Sequence, residues 1–179
     1  MPRAVLIFAL LCVAAVSACR RSGTLSPAEQ MAHQKLTNRD ITFFYENSAL
    51  LLGRENRPVA VPENDSAAVA AVVREWLKGP RTPTLARSLP ADTILRGAYL
   101  LPEGNAIVDL GGPTLVSGWQ TGSNEELLAV YSIVQTLATN FSAVKRVHLL
   151  VNGQVVETLA GHISIDHPVS PMPALLAKP

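Results

Sequence analysis

Cysteine is almost missing from this sequence: Cys12 and Cys19 are the only two in 179 residues. Cys12 lies inside an apolar N-terminal run, so a chain trimmed after that run keeps one thiol and can form no internal disulfide. Long hydrophobic runs are missing too. The uninterrupted stretch "AVLIFALLCVAAV", residues 4–16, has 13 residues, whereas a helix that spans a bilayer needs roughly 20. There is also no surplus of one charge sign. The chain has 15 Lys+Arg against 14 Asp+Glu, and trimming residues 1–18 removes Arg3 alone, leaving 14 of each. With no basic excess to neutralise phosphates, nucleic acid is excluded as the main partner.

What is present begins with an export signal. "MPR" supplies a base, and the apolar run after it fits the core of a secretory signal peptide. "VSAC", Val16 to Cys19, resembles the bacterial lipobox: an aliphatic residue, two small residues, then the cysteine that receives lipid. The resemblance implies cleavage before Cys19 and a diacylglyceryl thioether with palmitate-type chains. A plain cleavage site beside an incidental cysteine is the alternative. Each buried methylene contributes ~0.8 kcal/mol, so two or three chains anchor stably where one does not. The expected location is the extracytoplasmic side of the bacterial envelope, the periplasm in a Gram-negative cell. Residues 1–18 then form the signal, and 19–40 the lipidated cysteine with a polar tether.

The folded domain is expected over residues 41–168. "ITFFYEN" reads as a strand, and a second strand returns through "RPVAVP" to end near Pro62. Val69, Val72, Val73, Trp76 and Leu77 share one stripe at helical spacing. Asp65 or Ser66 can cap that helix, and Gly79-Pro80 ends it. "ILRGAYLL" and "NAIVDL" make two strands around the turn "PEGN". A second helix opens on a capping box, Ser123 with Glu126, and buries Leu127, Val130, Tyr131, Val134, Leu137 and Ala138. "RVHLLVNGQVVETL" is a hairpin around Asn152-Gly153, whose type I′ turn needs positive φ at both residues. Pairing outward sets Val151 opposite Gln154, Leu149 opposite Val156 and His148 opposite Glu157. The order ββαββαββ makes a single compact α+β domain, two helices packed on a largely antiparallel sheet. Residues 169–179 read as a loose Pro-rich tail.

Three pieces carry a family resemblance: "VVREWLKGP", the run from "AIVDLGG" through "GSNEELLAVYSIVQTLATNFSAVKRVHLLVNG", and "VETLAGHISIDHP". Together they resemble the GerMN domain of spore-germination and sporulation proteins, across about residues 41–168. The resemblance implies a compact α/β unit, often carried by bacterial lipoproteins and similar to ring-building modules of secretion and sporulation machines. It implies no catalytic residues. The chain holds one copy of the domain where the founding protein has two.

The remaining residues offer little reactive chemistry. In "GHISIDHP" an extended backbone would spread His162, Ser164 and Asp166 at about 6.6 Å steps along one face. A nucleophile and its base need roughly 3 Å, so a local triad is not expected unless the segment folds back. His162 is expected to set its ring against nearby backbone, a structural role. His148, His162 and His167 match no zinc spacing, so no metal and no cofactor is expected. Glu103 and Asp109 make no arguable inward-facing pair for glycoside hydrolysis. Asp109 is expected to cap or turn the loop after its strand. "GGPTLVSGWQTG" lacks the phosphate-loop lysine. Its Trp119 could contact a glycan or a partner, or fold over the sheet edge. The expected function is therefore non-enzymatic: an envelope lipoprotein whose domain binds or assembles with a protein partner. The alternatives are peptidoglycan or glycan binding through Trp119, and an uncharacterised hydrolase using His162 and Asp166.

Overall fold

The computed structural model describes residues 35–178. Cys19, the signal segment and most of the tether lie outside them. Strand β1, Leu36–Asn47, pairs antiparallel with β2, Leu52–Pro62. β1 begins earlier than its composition suggests. The polar "LTNRD" has no apolar alternation, and backbone pairing of Leu36–Arg39 with Pro62–Val59 carries it into the sheet. Domain therefore replaces tether from Leu36 rather than Ile41.

Helix α1, Asp65–Leu77, follows. Its cap is Asn64, whose side chain accepts from Ala67 N, rather than Asp65 or Ser66. Ser66 is instead spent on Leu100, bonding both its N and O. Gly79, at φ 86°, takes the left-handed conformation expected at the helix end. A two-residue strand β3, Leu85–Ala86, completes the first sheet in the order β2-β1-β3.

The second sheet has the order β4-β5-β6, from Ile94–Leu100, Asn105–Gly111 and Arg146–Val151. β4 and β5 are antiparallel, but β5 and β6 are parallel. Parallel neighbours need a crossover, and here it contains a short helix α2, Pro113–Ser117, and the long helix α3, Ser123–Asn140. The α+β class and the largely antiparallel pairing stand. The strand order differs from ββαββαββ because the final hairpin does not form.

The turn itself is as expected: Asn152 and Gly153 have φ of 51° and 74°, and Val151 bridges Gln154. Beyond it the chain leaves the sheet. Leu149 and His148 therefore face Val108 and Ile107 of β5, not Val156 and Glu157. The tail is not loose either. Val169 pairs with Val147, and Ala177 N donates to Leu52 O. Leu175 and Leu176 close a small cluster over Phe44, Leu52 and Leu128. These apolar side chains dock a segment whose prolines alone suggest disorder.

One core joins both sheets. Ile41, Phe43 and Tyr45 from the first meet Val108, Leu110, Val147 and Leu149 from the second, with α1 and α3 filling the space. α3 is buried on more than one stripe: Leu128, Ala129, Ile133 and Thr136 join the expected Val130, Val134 and Leu137.

Candidate functional site

A shallow groove of about 260 Å³ lies between Leu115–Val116 of α2 and the chain from Val151 to Leu159. Val116 and Val155 stand more than half exposed at this part of the surface. Three carboxylates fix the segments around the groove, and each does so through backbone N–H groups, the donors that irregular chain leaves unpaired.

Glu126 fixes the first. Its side chain is fully buried and does not form the capping box expected of it; α3 is capped by Gly122, with no side-chain bond. Oε1 accepts from Leu159 N and Ala160 N, each at 2.8 Å. Oε2 accepts from His162 N at 2.8 Å, with His162 Nδ1 at 3.0 Å. This carboxylate draws residues 159–162 away from the sheet, which is why no return strand forms. Ile165 N then closes the loop on Glu157 O. The His162 ring was expected against backbone; it meets the Glu126 carboxylate instead.

Asp109 fixes the second. Its Oδ1 accepts from Gly153 N at 2.7 Å, tying β5 to the Asn-Gly turn, and Oδ2 bonds Arg96 Nε at 3.2 Å. Asp109 was expected to cap or turn the loop directly after its strand; it bonds instead a turn 44 residues away in sequence. Asp92 fixes the third. It accepts from Thr114 N and Thr114 Oγ1 at the start of α2, and these bonds hold its carboxyl below the usual carboxylate range. Trp119, just after α2, is half-buried against the main core.

A fourth carboxylate works at the Gly79-Pro80 corner. Glu55 is buried and accepts from Arg81 N at 2.8 Å and Thr82 N at 2.7 Å. Arg57, also buried, donates to Glu55, to the carbonyls of Glu75 and Gly79, and to the Tyr45 hydroxyl. Burial raises the Glu55 carboxyl, but the Thr82 and Arg81 hydrogen bonds and the Arg57 charge outweigh it and leave the carboxyl below its ordinary value. Burial drives Tyr45 strongly upward, so its hydroxyl stays protonated. It donates to Trp76 O.

The segment "ISIDHP" folds back instead of running extended, and its polar side chains do meet. Ser164 Oγ donates to Asp166 Oδ1 at 2.8 Å, and His167 Nδ1 stands 2.7 Å from the same oxygen. Both partners end on the carboxylate, and among the described residues no hydrogen bond joins Ser164 to His167. His148 sits on β6 with its Nε2 covered and unpaired. No three His, Cys, Asp or Glu side chains converge on a metal-sized site among the described residues. No helix among them is long and apolar enough to cross a membrane.

The carboxylate bonds were missed in the sequence because they join residues 22 to 44 apart with no periodic signature. The one available signal was a glutamate, Glu126, at a position where α3 turns to the core.

Comparison with known proteins follows this geometry. The family model described as "Germane: Sporulation and spore germination" matches residues 42–157, more than half of the chain. Among solved structures, a candidate lipoprotein from Clostridium perfringens shares 21% identity over 79% of this chain and 93% of its own, at TM-score 0.55. The tandem GerMN domains of the sporulation protein GerM from Bacillus subtilis share 23% identity over 74% of this chain and 46% of theirs, at TM-score 0.56. The first of those domains alone shares 23% identity over 75% of this chain and 97% of its own, at TM-score 0.51. At these identities the likeness is one of fold. Among curated proteins nothing matches.

Proposed function

We propose, from the premise that this chain belongs to the Germane family of sporulation and spore germination, that it is a non-catalytic envelope lipoprotein. Lipid on Cys19 holds it at the membrane, and its domain binds a protein partner through the groove beside α2. One observation carries the partner reading: exposed Val116 lines a groove whose walls are held by Asp92, Asp109 and Glu126, with Val155 exposed in the adjoining chain segment. Apolar surface on a rigid wall loses little conformational entropy on binding, so more of the burial energy appears as affinity. The lipid anchor is supported by the lipobox-like "VSAC" and by the fold shared with a candidate lipoprotein. A non-catalytic role is supported by the arrangement at Asp166, where the serine and the histidine each bond the carboxylate and not one another.

Site-directed photo-crosslinking in native membranes tests the reading. A crosslinker placed at Val116 should give a discrete adduct, and Val155→Glu in the same chain should abolish it. A crosslinker at Lys145, outside the groove, should give none. Adducts of equal yield from both positions, or none from Val116, would remove the groove as the binding surface. A peptidoglycan sacculus that retains wild type better than Trp119→Ala would favour the glycan reading instead.

A further inference from the structure

The cavity that stands out apart from the groove has about 410 Å³ and collects three remote parts of the chain: the β1–β2 turn, the segment around Thr82–Leu85, and the C-terminal Ala177–Lys178. That volume falls in the usual range for small-molecule sites, about 300–1,000 Å³. Each wall is fixed. In the turn, Asn47 Oδ1 accepts from Ala49 N and Leu51 N, and Leu50 is held at φ 56°, a left-handed conformation a leucine adopts at a cost. The second wall is held by Glu55 at Thr82 N and by pairing of Leu85 with Asn47. The third is held by Ala177 N on Leu52 O. Gly53 closes the floor. A Cβ there would stand 2.5 Å from Leu85 Cδ2, so any larger residue would have to displace that leucine side chain.

Among the described residues that line this cavity, Arg54 and Lys178 are the charged ones, and they come from two different walls. Neither cation forms a salt bridge among the described residues. The adjacent carboxylate, Glu55, points to the opposite face of β2 and is spent on Arg57, Arg81 and Thr82. Ser48 and Thr84 add hydroxyls that can donate. Both cationic side chains are exposed, and Arg54 Cζ stands 5.8 Å from the centre of the Phe44 ring.

We infer that this cavity is an oxyanion site, taking the phosphate or carboxylate group of a small organic ligand between Arg54 and Lys178. The guanidinium can grip two oxygens of one group in a fork while the ammonium supplies a point charge from the far wall. The site is separate from the groove beside α2, and neither reading depends on the other.

Calorimetric titration of the full chain in detergent micelles, at low ionic strength, tests it with two probes, glycerol phosphate and acetate. Saturable binding of at least one is expected, and the stronger of the two identifies the group the site prefers. Arg54→Gln and Lys178→Gln should each weaken it by roughly tenfold, the size of one lost charge-assisted contact. Lys145→Gln should bind as wild type does, and the thermal midpoint of Arg54→Gln should match wild type. Absence of saturable binding by both probes, or undiminished binding in both cation variants, would overturn the inference.

Discussion

At the scale of single residues, the fold depends on carboxylates that hold irregular chain. Glu126 is the deepest, with three N–H groups and a histidine ring on two oxygens. Glu126→Ala leaves those N–H donors without a partner inside the protein. It should cost about 3–5 kcal/mol, the range for breaking a buried charged contact by removing one side. His162→Ala removes only a half-exposed ring from the same carboxylate and should cost about 1 kcal/mol. Urea unfolding of both variants checks the pair; equal losses would contradict the assignment of Glu126 as the anchor. Glu55 adds a pH dependence. Its folded carboxyl lies below the ordinary value, so its contribution is fully present above about pH 4.3. That contribution is lost as pH falls through the depressed folded value. The thermal midpoint should therefore hold from neutrality to about pH 4.5 and drop below it, and Glu55→Gln should start lower and drop less steeply. A variant that retains the wild-type drop would assign acid lability elsewhere.

At the scale of elements, the edges of the first sheet are closed without further strands. α3 seals the β1 edge: Asn140 Oδ1 takes Thr42 N, and Thr136 Oγ1 takes Phe44 N. A helix step of four residues, about 6 Å, matches a strand step of two, about 6.6 Å, so the two side chains register with the two amides. Because Thr42 and Phe44 face α3, their partners Asn56 and Arg54 point away from β1, as do Pro58, Ala60 and Pro62. Both prolines thus fall where a free amide would invite another strand. Pro58→Val with Pro62→Val restores those donors and should push the domain toward self-association, seen in sedimentation velocity as a shift to larger species than wild type shows at rising concentration. An unchanged sedimentation profile would mean the prolines have no such role.

This same level shows what the sequence revealed. Helix periodicity, the Gly79-Pro80 stop and the Asn-Gly turn depend on neighbours within a few residues, and all three were legible. The return strand from Gln154, the loose tail and the Ser123–Glu126 cap were misread. Their fate is set by distant partners: Glu126 for the loop, Leu52 and Val147 for the tail, and the core itself for Glu126. β1 from Leu36 to Asp40 was missed for a related reason, since its backbone pairs while its side chains stay mostly outside.

At the scale of the whole molecule, the chain combines a balanced charge, a lipobox-like cysteine and a domain whose irregular loops are fixed rather than loose. Electrostatic neutrality suits a body that recognises a partner by shape and apolar contact more than by long-range steering. Trp119 is partly buried against the core, and Asp166 is the hub of a surface cluster. The proposed function requires two separable things, attachment at Cys19 and access to the groove. The most direct measurement is mass spectrometry of the N-terminal peptide from native membranes, read alongside the Val116 crosslink in wild type and Cys19→Ser. Expected are a diacylglyceryl-modified Cys19 in wild type, and loss of both membrane residence and crosslink in Cys19→Ser. An unmodified Cys19 in a freely soluble protein that still forms the same crosslink would contradict the proposal.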